Sequence, residues 1–209
     1  MIRNLITKLR HHFRSIRYNS LSDLLDLAEY SQGYIIDLGG GPASFFAALY
    51  PNPQAIILIE LEYDLAQKAK KRLPDLNVIV ADGEKLPFAR QSVSATICNS
   101  VIEHVNMPSN LANEIQRVSQ RFFVQTPNVR FPVETHSYIA IPLYNQIPWI
   151  RLRRLLCYLF GGNYDYISSV YYLSEKELRR LFPQANLYYE KSLGLKKSFY
   201  LVQKSGKPT

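Results

Sequence analysis

Apolar residues first recur at helical spacing. Ile2, Leu5, Ile6, Leu9, Phe13 and Ile16 share one side of a helical wheel, with basic residues mostly between them, so the chain opens on an amphipathic helix. Its apolar face must be buried, and packing against the rest of the domain or closing it as a lid is the expectation. An interfacial membrane helix is the sharper alternative. A second helix is expected next, with Ser22 as N-cap ahead of Asp23, with Leu24, Leu25, Leu27 and Ala28 to bury, and with Gly33 as its end.

From residue 34 short apolar runs alternate with helical patterns. Tyr34-Ile35-Ile36 is a buried strand entering Asp37-Leu38-Gly39-Gly40-Gly41, and Ser44 to Leu49 follows as a helix. Ala55 to Ile59 is a second strand ending at Glu60, with a helix around Leu65, Ala66 and Ala69 behind it. Asn77 to Val80 is a third strand, ending at Ala81-Asp82, and Ser94 to Cys98 a fourth, followed by Asn99 and a helix from Pro108 to Val118. Arg121 to Gln125 is a fifth, stopped by Thr126-Pro127-Asn128. Strands joined through helices by short links must pair parallel, with helices on both faces of the sheet, which makes the expected architecture a doubly wound, Rossmann-like α/β fold. Asn186 to Glu190 and Ser198 to Val202 lie too close together for a crossover and should form an antiparallel hairpin about Gly194. A helix starting at Ser174, with Glu177 three residues later as in a capping box, precedes them.

The chain thus divides, within one domain covering 1–209, into N-terminal helices (1–30), a regular α/β half (31–128), an insertion or lid (129–170) rich in Pro, Tyr and Arg, and a closing helix and hairpin (171–209). Long insertions in compact domains usually cover or build binding sites. Within this one, Trp149 to Phe160 mixes apolar and guanidinium groups as a basic amphipathic helix would, ended by Gly161-Gly162.

Composition narrows the function classes. With 47% hydrophobic and 20% charged residues over 209 positions, disorder is excluded. Cys98 and Cys157 sit singly in apolar runs without partners at metal-ligand spacing, so a disulfide framework is excluded, no metal site is expected, and a cytoplasmic location is. No apolar stretch is long enough to cross a bilayer. The net charge of +8 is unevenly spread: residues 21–118 carry 7 Lys/Arg against 12 Asp/Glu, a net −5, so the two flanks together carry +13. Such flanks could attract anionic partners, whether RNA, lipid headgroups or a phosphorylated substrate, although ordinary solvated surface charge is by itself the better account of them.

The candidate chemistry lies in the bend after the first strand. Gly39-Gly40-Gly41 leaves the backbone almost free of Cβ obstruction, so a ligand can lie against the peptide groups opening the next helix. A dinucleotide site would use the same bend, but Asp37, two residues before the first glycine, suits a ligand carrying a cation, and Ser44 stands at the third dinucleotide glycine. Glu60 at the second strand's tip can accept from ribose hydroxyls, and Asp82 at the third from an adenine amino group. Three acids ending three successive parallel strands meet at the edge where open α/β sheets bind ligands.

These residues resemble a known family. Ile35-Ile36-Asp37-Leu38-Gly39-Gly40-Gly41, Ile59-Glu60, Ala81-Asp82-Gly83-Glu84-Lys85-Leu86-Pro87-Phe88 and Asn99-Ser100-Val101-Ile102-Glu103-His104-Val105 look, in that order and spacing, like the cofactor half of class I S-adenosylmethionine-dependent methyltransferases of the type-11 group. Gln125-Thr126-Pro127-Asn128 followed by Phe131 to His136 looks like a subgroup of uncharacterised bacterial type-11 enzymes. Ala43 departs from the pattern, where many members carry glycine. The resemblance implies a seven-stranded sheet that the antiparallel hairpin completes. It implies S-adenosyl-L-methionine as cofactor, with Gly39, Gly40 and Gly41 along its methionine part and Asp37 toward the ammonium group. Glu60 would take the ribose hydroxyls, Leu61 would lie against adenine, Asp82 and the backbone of Gly83 would meet the adenine edge, and Asn99 would place its carbonyl near the amine. Candidate bases for an oxygen or carbon acceptor are His104, in the loop after strand four, and Glu134 with His136, after strand five. Glu103-His104 serves loop structure in the alternative reading.

The leading functional expectation is methyl transfer to a small or amphiphilic acceptor, lipid-linked in one version, with peripheral membrane contact through the basic amphipathic helices. RNA methylation comes second, because Asn99-Ser100-Val101-Ile102 occupies the place of the Asn/Asp-Pro-Pro-aromatic motif of many base-amine methyltransferases. A non-catalytic binding protein retaining the fold comes third.

Overall fold

The computed structural model describes residues 2–27, 33–132, 144–159 and 164–204, with the side chains of 2–13, 146, 166 and 167 left aside. Strands β1 (Ile35–Leu38), β2 (Ile56–Glu60), β3 (Asn77–Val80), β4 (Ala95–Asn99), β5 (Phe122–Pro127), β6 (Asn186–Ser192) and β7 (Leu195–Gln203) form one sheet in the order β3-β2-β1-β4-β5-β7-β6. The first five pair parallel and β7 runs antiparallel to both β5 and β6. The doubly wound sheet with its antiparallel closure is therefore as expected. All four residues of β1 and all five of β2 are buried, which is why both read as near-continuous apolar runs rather than alternations, broken in β1 by Asp37 and ended in β2 by Glu60.

Helices α1 (Ile2–Leu25), α2 (Phe45–Leu49) and α3 (Tyr63–Arg72) cover one face, where Leu21, Leu25, Phe46 and Ala69 pack on Ile35, Leu58, Ile97 and Phe123. Helices α4 (Pro108–Val118) and α7 (Glu175–Leu181) cover the other, with Leu111, Ile115, Leu178 and Phe182 on Ile36, Cys98, Val124 and Leu201. Two short helices of the insertion, α5 (Ile150–Leu159) and α6 (Tyr164–Ser169), pack on each other through Cys157, Tyr144 and Tyr164. Cys98 and Cys157 are both buried free thiols. Among the described residues no helix is long and apolar enough to cross a membrane.

The two N-terminal helices expected from the sequence are one. Helix α1 runs unbroken through Ser22, because Leu21 and Leu25 on either side of it are fully buried; Ile16, from the apolar face expected further back, is 42% exposed. Its end is a Schellman motif: Leu27 N–H donates to Ser22 O (3.0 Å) and Asp26 N–H to Asp23 O (3.3 Å), with Asp26 left-handed at φ 53°. Ser22 thus closes this helix instead of opening another, and the buried Arg121 guanidinium adds a bond to Leu25 O. Strand β5 also runs two residues past its expected stop, since Thr126 and Pro127 stay in register with Phe199 and Ser198 of β7.

Candidate functional site

The carboxyl ends of β1, β2, β3 and β4 converge on one edge of the sheet. Asp37, inside β1, is buried on the α2 side, where Ser44 Oγ donates a short hydrogen bond to its Oδ2. The same Ser44 Oγ accepts from Ala47 N–H (2.9 Å) as the N-cap of α2, so one hydroxyl both starts the helix and anchors the acid. Burial pushes the Asp37 carboxyl up, the Ser44 bond pulls it down and the nearby Glu60 charge raises it again, to about 6 against an ordinary 3.8.

The bend needs its glycines for different reasons. Gly39 (φ 65°) donates to Ile59 O at 2.8 Å, which draws the bend toward the tip of β2, and a Cβ there would strike Val101 at 2.7 Å. A Cβ on Gly40 would sit 2.3 Å from Asp37 Oδ2. Gly41 (φ 62°) faces open space whose nearest atom is Glu60 Oε2, 3.8 Å from where its Cβ would be. Asp37, Gly39 to Gly41 and Glu60 are thus brought together around a clear space, with the exposed Leu61 at its rim. Glu60 Oε1 accepts from Leu61 N–H (3.0 Å), and Ala81 N–H donates to Glu60 O (3.1 Å), which ties the β3 tip to the same edge.

Asp82, Gly83, Asn99 and His104 lie at or beside this edge, several with structural contacts of their own. Asp82 is exposed and its Oδ1 accepts from Glu84 N–H (2.8 Å), which shapes the turn after β3. Gly83 sits under the helix α4 face: a Cβ would meet Leu111 at 2.9 Å and Leu38 at 3.2 Å, so its small size is a packing requirement as well. Asn99 ends β4 with its Oδ1 held by Arg17 Nη1 of α1 (3.0 Å). Glu103 is fully buried, accepting from Thr126 Oγ1 (3.0 Å), while its backbone carbonyl receives Tyr171 N–H (2.9 Å) and so ties the chain to this edge where it leaves the insertion. His104 beside it is exposed. Glu134 and His136 lie outside the described residues. A groove of about 560 Å³ along α3 and the unpaired β3 edge touches none of these groups.

Three residues escaped the sequence reading. Ser44 was legible as a helix start, but its bond to Asp37 exists only once the bend has turned back. Val101 closes over Gly39 from the β4 loop. Arg17 was one cation among many in an amphipathic pattern; folded, it bridges Asn99 and Glu190 Oε2 (2.9 Å), and Lys197 completes the cluster at Glu190 Oε1 (3.1 Å). Burial works to raise the Glu190 carboxyl, but the charges of Arg17 and Lys197 outweigh it and hold it below its ordinary value.

A buried carboxylate with a second one close by favours a cationic ligand group, and the Cβ-free space beside them admits it against backbone. This combination of parallel-sheet order, bend and strand-tip acids is that of a class I methyltransferase fold. Residues 36–121 match the family described as "Methyltransferase domain", so the resemblance read from the sequence is borne out over that segment. An "uncharacterized methyltransferase" of Mycobacterium sp. (strain JLS) is 31% identical over 86 residues, 41% of this chain and 34% of that protein; the match spans about a third of the length of the curated relatives. Among solved structures, geranyl diphosphate C-methyltransferase from Streptomyces coelicolor A3(2) superposes with a TM-score of 0.57 at 14% identity, covering 92% of this chain and 80% of that one. Magnesium protoporphyrin IX methyltransferase from Synechocystis PCC 6803, with S-adenosylhomocysteine bound, gives 0.53 at 16%, covering 89% and 80%. The N-terminal domain of EvdMO1, with S-adenosylhomocysteine and D-fucose, gives 0.57 at 16%, covering 92% and 83%.

Proposed function

We propose that the protein is an S-adenosylmethionine-dependent methyltransferase acting on a small or amphiphilic acceptor. The observation that carries this reading is the pairing of buried Asp37 and Glu60 across the Gly39–Gly41 bend, which leaves a space bounded by two acids and bare backbone. When bound, the cofactor supplies the electrophilic methyl group. Asp37 holds its ammonium end, Glu60 accepts from the ribose hydroxyls, and Leu61 covers one side of the adenine. Asp82 and the Gly83 backbone meet the adenine edge, and Asn99 stands at the amine side.

Because displacement at a methyl group is in line, the protein's main contribution is to orient the acceptor. The elements suited to that are those on the β4–β5–β7 side of the edge: α1 fastened by Arg17, the Glu103 loop, and the insertion, whose far end is followed by the Tyr171 bond to that loop. His104, Glu134 and His136 remain the candidate bases for an acceptor that must lose a proton. Two of the structural neighbours are named for geranyl diphosphate and magnesium protoporphyrin IX, both amphiphilic molecules, which supports an acceptor of that kind.

Calorimetric titration with S-adenosylhomocysteine tests the cofactor half: binding in the micromolar range, about 8 kcal/mol, is expected. Absence of binding by folded wild-type protein would defeat the assignment. Labelled cofactor incubated with the protein and cell extract tests the acceptor half. Label in the small-molecule or lipid fraction supports it; label in RNA redirects it to nucleic acid, and no transfer by the cofactor-binding protein favours a non-catalytic role.

A further inference from the structure

Helix α5 is amphipathic with its apolar surface on the wrong side for a simple packing helix. Its inward face is already satisfied: Cys157 is fully buried and Leu156 packs beside it. Arg153 lies over the Tyr144 ring at 5.4 Å while Tyr144 Oη donates to the Arg153 carbonyl (3.0 Å), and Arg154 lies over Tyr164 at 5.0 Å. Opposite these contacts, Leu155 is 53%, Tyr158 82% and Leu159 64% exposed, with Leu152 also exposed. At 3.6 residues per turn Leu152, Leu155 and Leu159 fall within about 60° of one another, and Arg151 projects beside them. Ile150, the first residue of α5, and Trp149 just before it are also exposed (Trp149 67%). A surface helix ordinarily turns charge outward; this one turns outward leucines and a tyrosine, with a tryptophan just before its start.

Charge says what kind of surface would cover them. Residues 144–159 contain Arg151, Arg153 and Arg154 and no Asp or Glu, so the segment that bears the apolar ridge is itself cationic, against the one exposed acid of α6, Asp165. Ten residues of helix reach only about 15 Å, half a bilayer core, so α5 can lie in an interface but cannot cross one. A protruding apolar ridge suits a fluid partner that closes around it, with Trp149 and Tyr158 at headgroup depth and the arginines among anionic headgroups. We infer that α5 docks the protein on anionic lipid surfaces, with Leu155 and Leu159 inserted and Arg151 on the headgroups.

Trp149 is the sole tryptophan of the chain, so its fluorescence reports on this patch alone. Flotation with phosphatidylcholine vesicles, with and without about one third phosphatidylglycerol, should show at least about tenfold stronger partition to the anionic vesicles, weakened by salt. Trp149 emission should shift to the blue on the anionic vesicles and be quenched by brominated acyl chains. The double variant Leu155→Glu/Leu159→Glu should lose both signals while keeping its S-adenosylhomocysteine titration, which keeps this test separate from the cofactor assignment. The proposal is overturned by wild-type protein that ignores anionic vesicles, by partition that survives in the double variant, or by Trp149 emission that stays unmoved on bound vesicles. A concentration-dependent dimer abolished by the double variant would overturn it in favour of a second copy of the chain, as would salt-sensitive RNA binding without vesicle binding in favour of nucleic acid.

Discussion

Asp37 is asked to be buried and charged at once. Its carboxyl is raised by burial from 3.8 to about 6 despite the Ser44 bond, and a raised folded-state value means that protonation favours the fold. The corresponding stability is present below about pH 4 and is lost as pH climbs through 6, by about 3 kcal/mol at most. Asp37→Asn keeps the shape without the charge, so the melting temperature of the ligand-free wild type should fall relative to this variant between pH 4 and 7; parallel pH profiles would show that Asp37 does not carry the effect. An ammonium-bearing ligand needs the ionised form, so wild-type affinity for S-adenosylhomocysteine should strengthen from pH 5 to 7 and that of the variant should stay flat. The neighbouring glycine makes a steric version of the same test. Gly40→Ala places a methyl against the buried Asp37 carboxylate that Ser44 anchors, whereas Gly41→Ala meets open space and bears only the strain of a left-handed residue, about 1 kcal/mol. Gly40→Ala should therefore disturb the Asp37 profile, and Gly41→Ala should lower stability without moving it.

Turns and helix ends show where elements are strained and where they are tied. The β6–β7 hairpin turns on Leu193 (φ 50°) and Gly194 (φ 78°), and Leu193 is 98% exposed, so a left-handed leucine sits there with nothing to bury it. Leu193→Asn should stabilise the protein by about 0.5–1 kcal/mol, readable as a rise of a few degrees in thermal midpoint; an unchanged or lower midpoint would mean the leucine has an unseen partner. At the other end of the chain, Arg17→Met leaves buried Glu190 with Lys197 alone and Asn99 unheld. It should cost roughly 1–3 kcal/mol and speed amide exchange in α1 more than in β4. Local patterns made the strands legible: the first two are buried almost throughout, and acids stand at or just past the ends of the first three. Ser22 misled because a serine before Asp-Leu-Leu looks like a helix start, while the buried stripe through Leu21 and Leu25 depends on what the helix packs against. Pro127 misled in the same way, since lacking an N–H does not prevent a last residue from pairing when β7 supplies the partner strand. Asp37, Glu60 and Asp82 could be placed from strand endings alone. The Arg17 to Asn99 bond joins residues 82 apart in sequence and has no local signature.

Because the candidate site is assembled from the bend at 39–41 and the tips of β1, β2, β3 and β4, a ligand that spans it bridges elements that otherwise meet only through the sheet. Binding should therefore appear as global stability. At about 100 times its dissociation constant a ligand adds about 2.7 kcal/mol. For a chain of 209 residues that corresponds to roughly 5–10 °C in thermal midpoint. The site also has two ends, with Asp37 at one and Glu60 facing Gly41 at the other. Methylthioadenosine, a nucleoside fragment without the amino-acid part, would use only the Glu60 end. S-adenosylhomocysteine should accordingly give a larger shift than the fragment in wild-type protein at equal concentration. In Asp37→Ala the two ligands should give nearly the same small shift, and in Glu60→Ala both shifts should shrink. If Asp37→Ala instead preserves the full advantage of S-adenosylhomocysteine over the fragment, the ammonium group is held elsewhere, and the division of the edge into an amino-acid end and a nucleoside end is wrong.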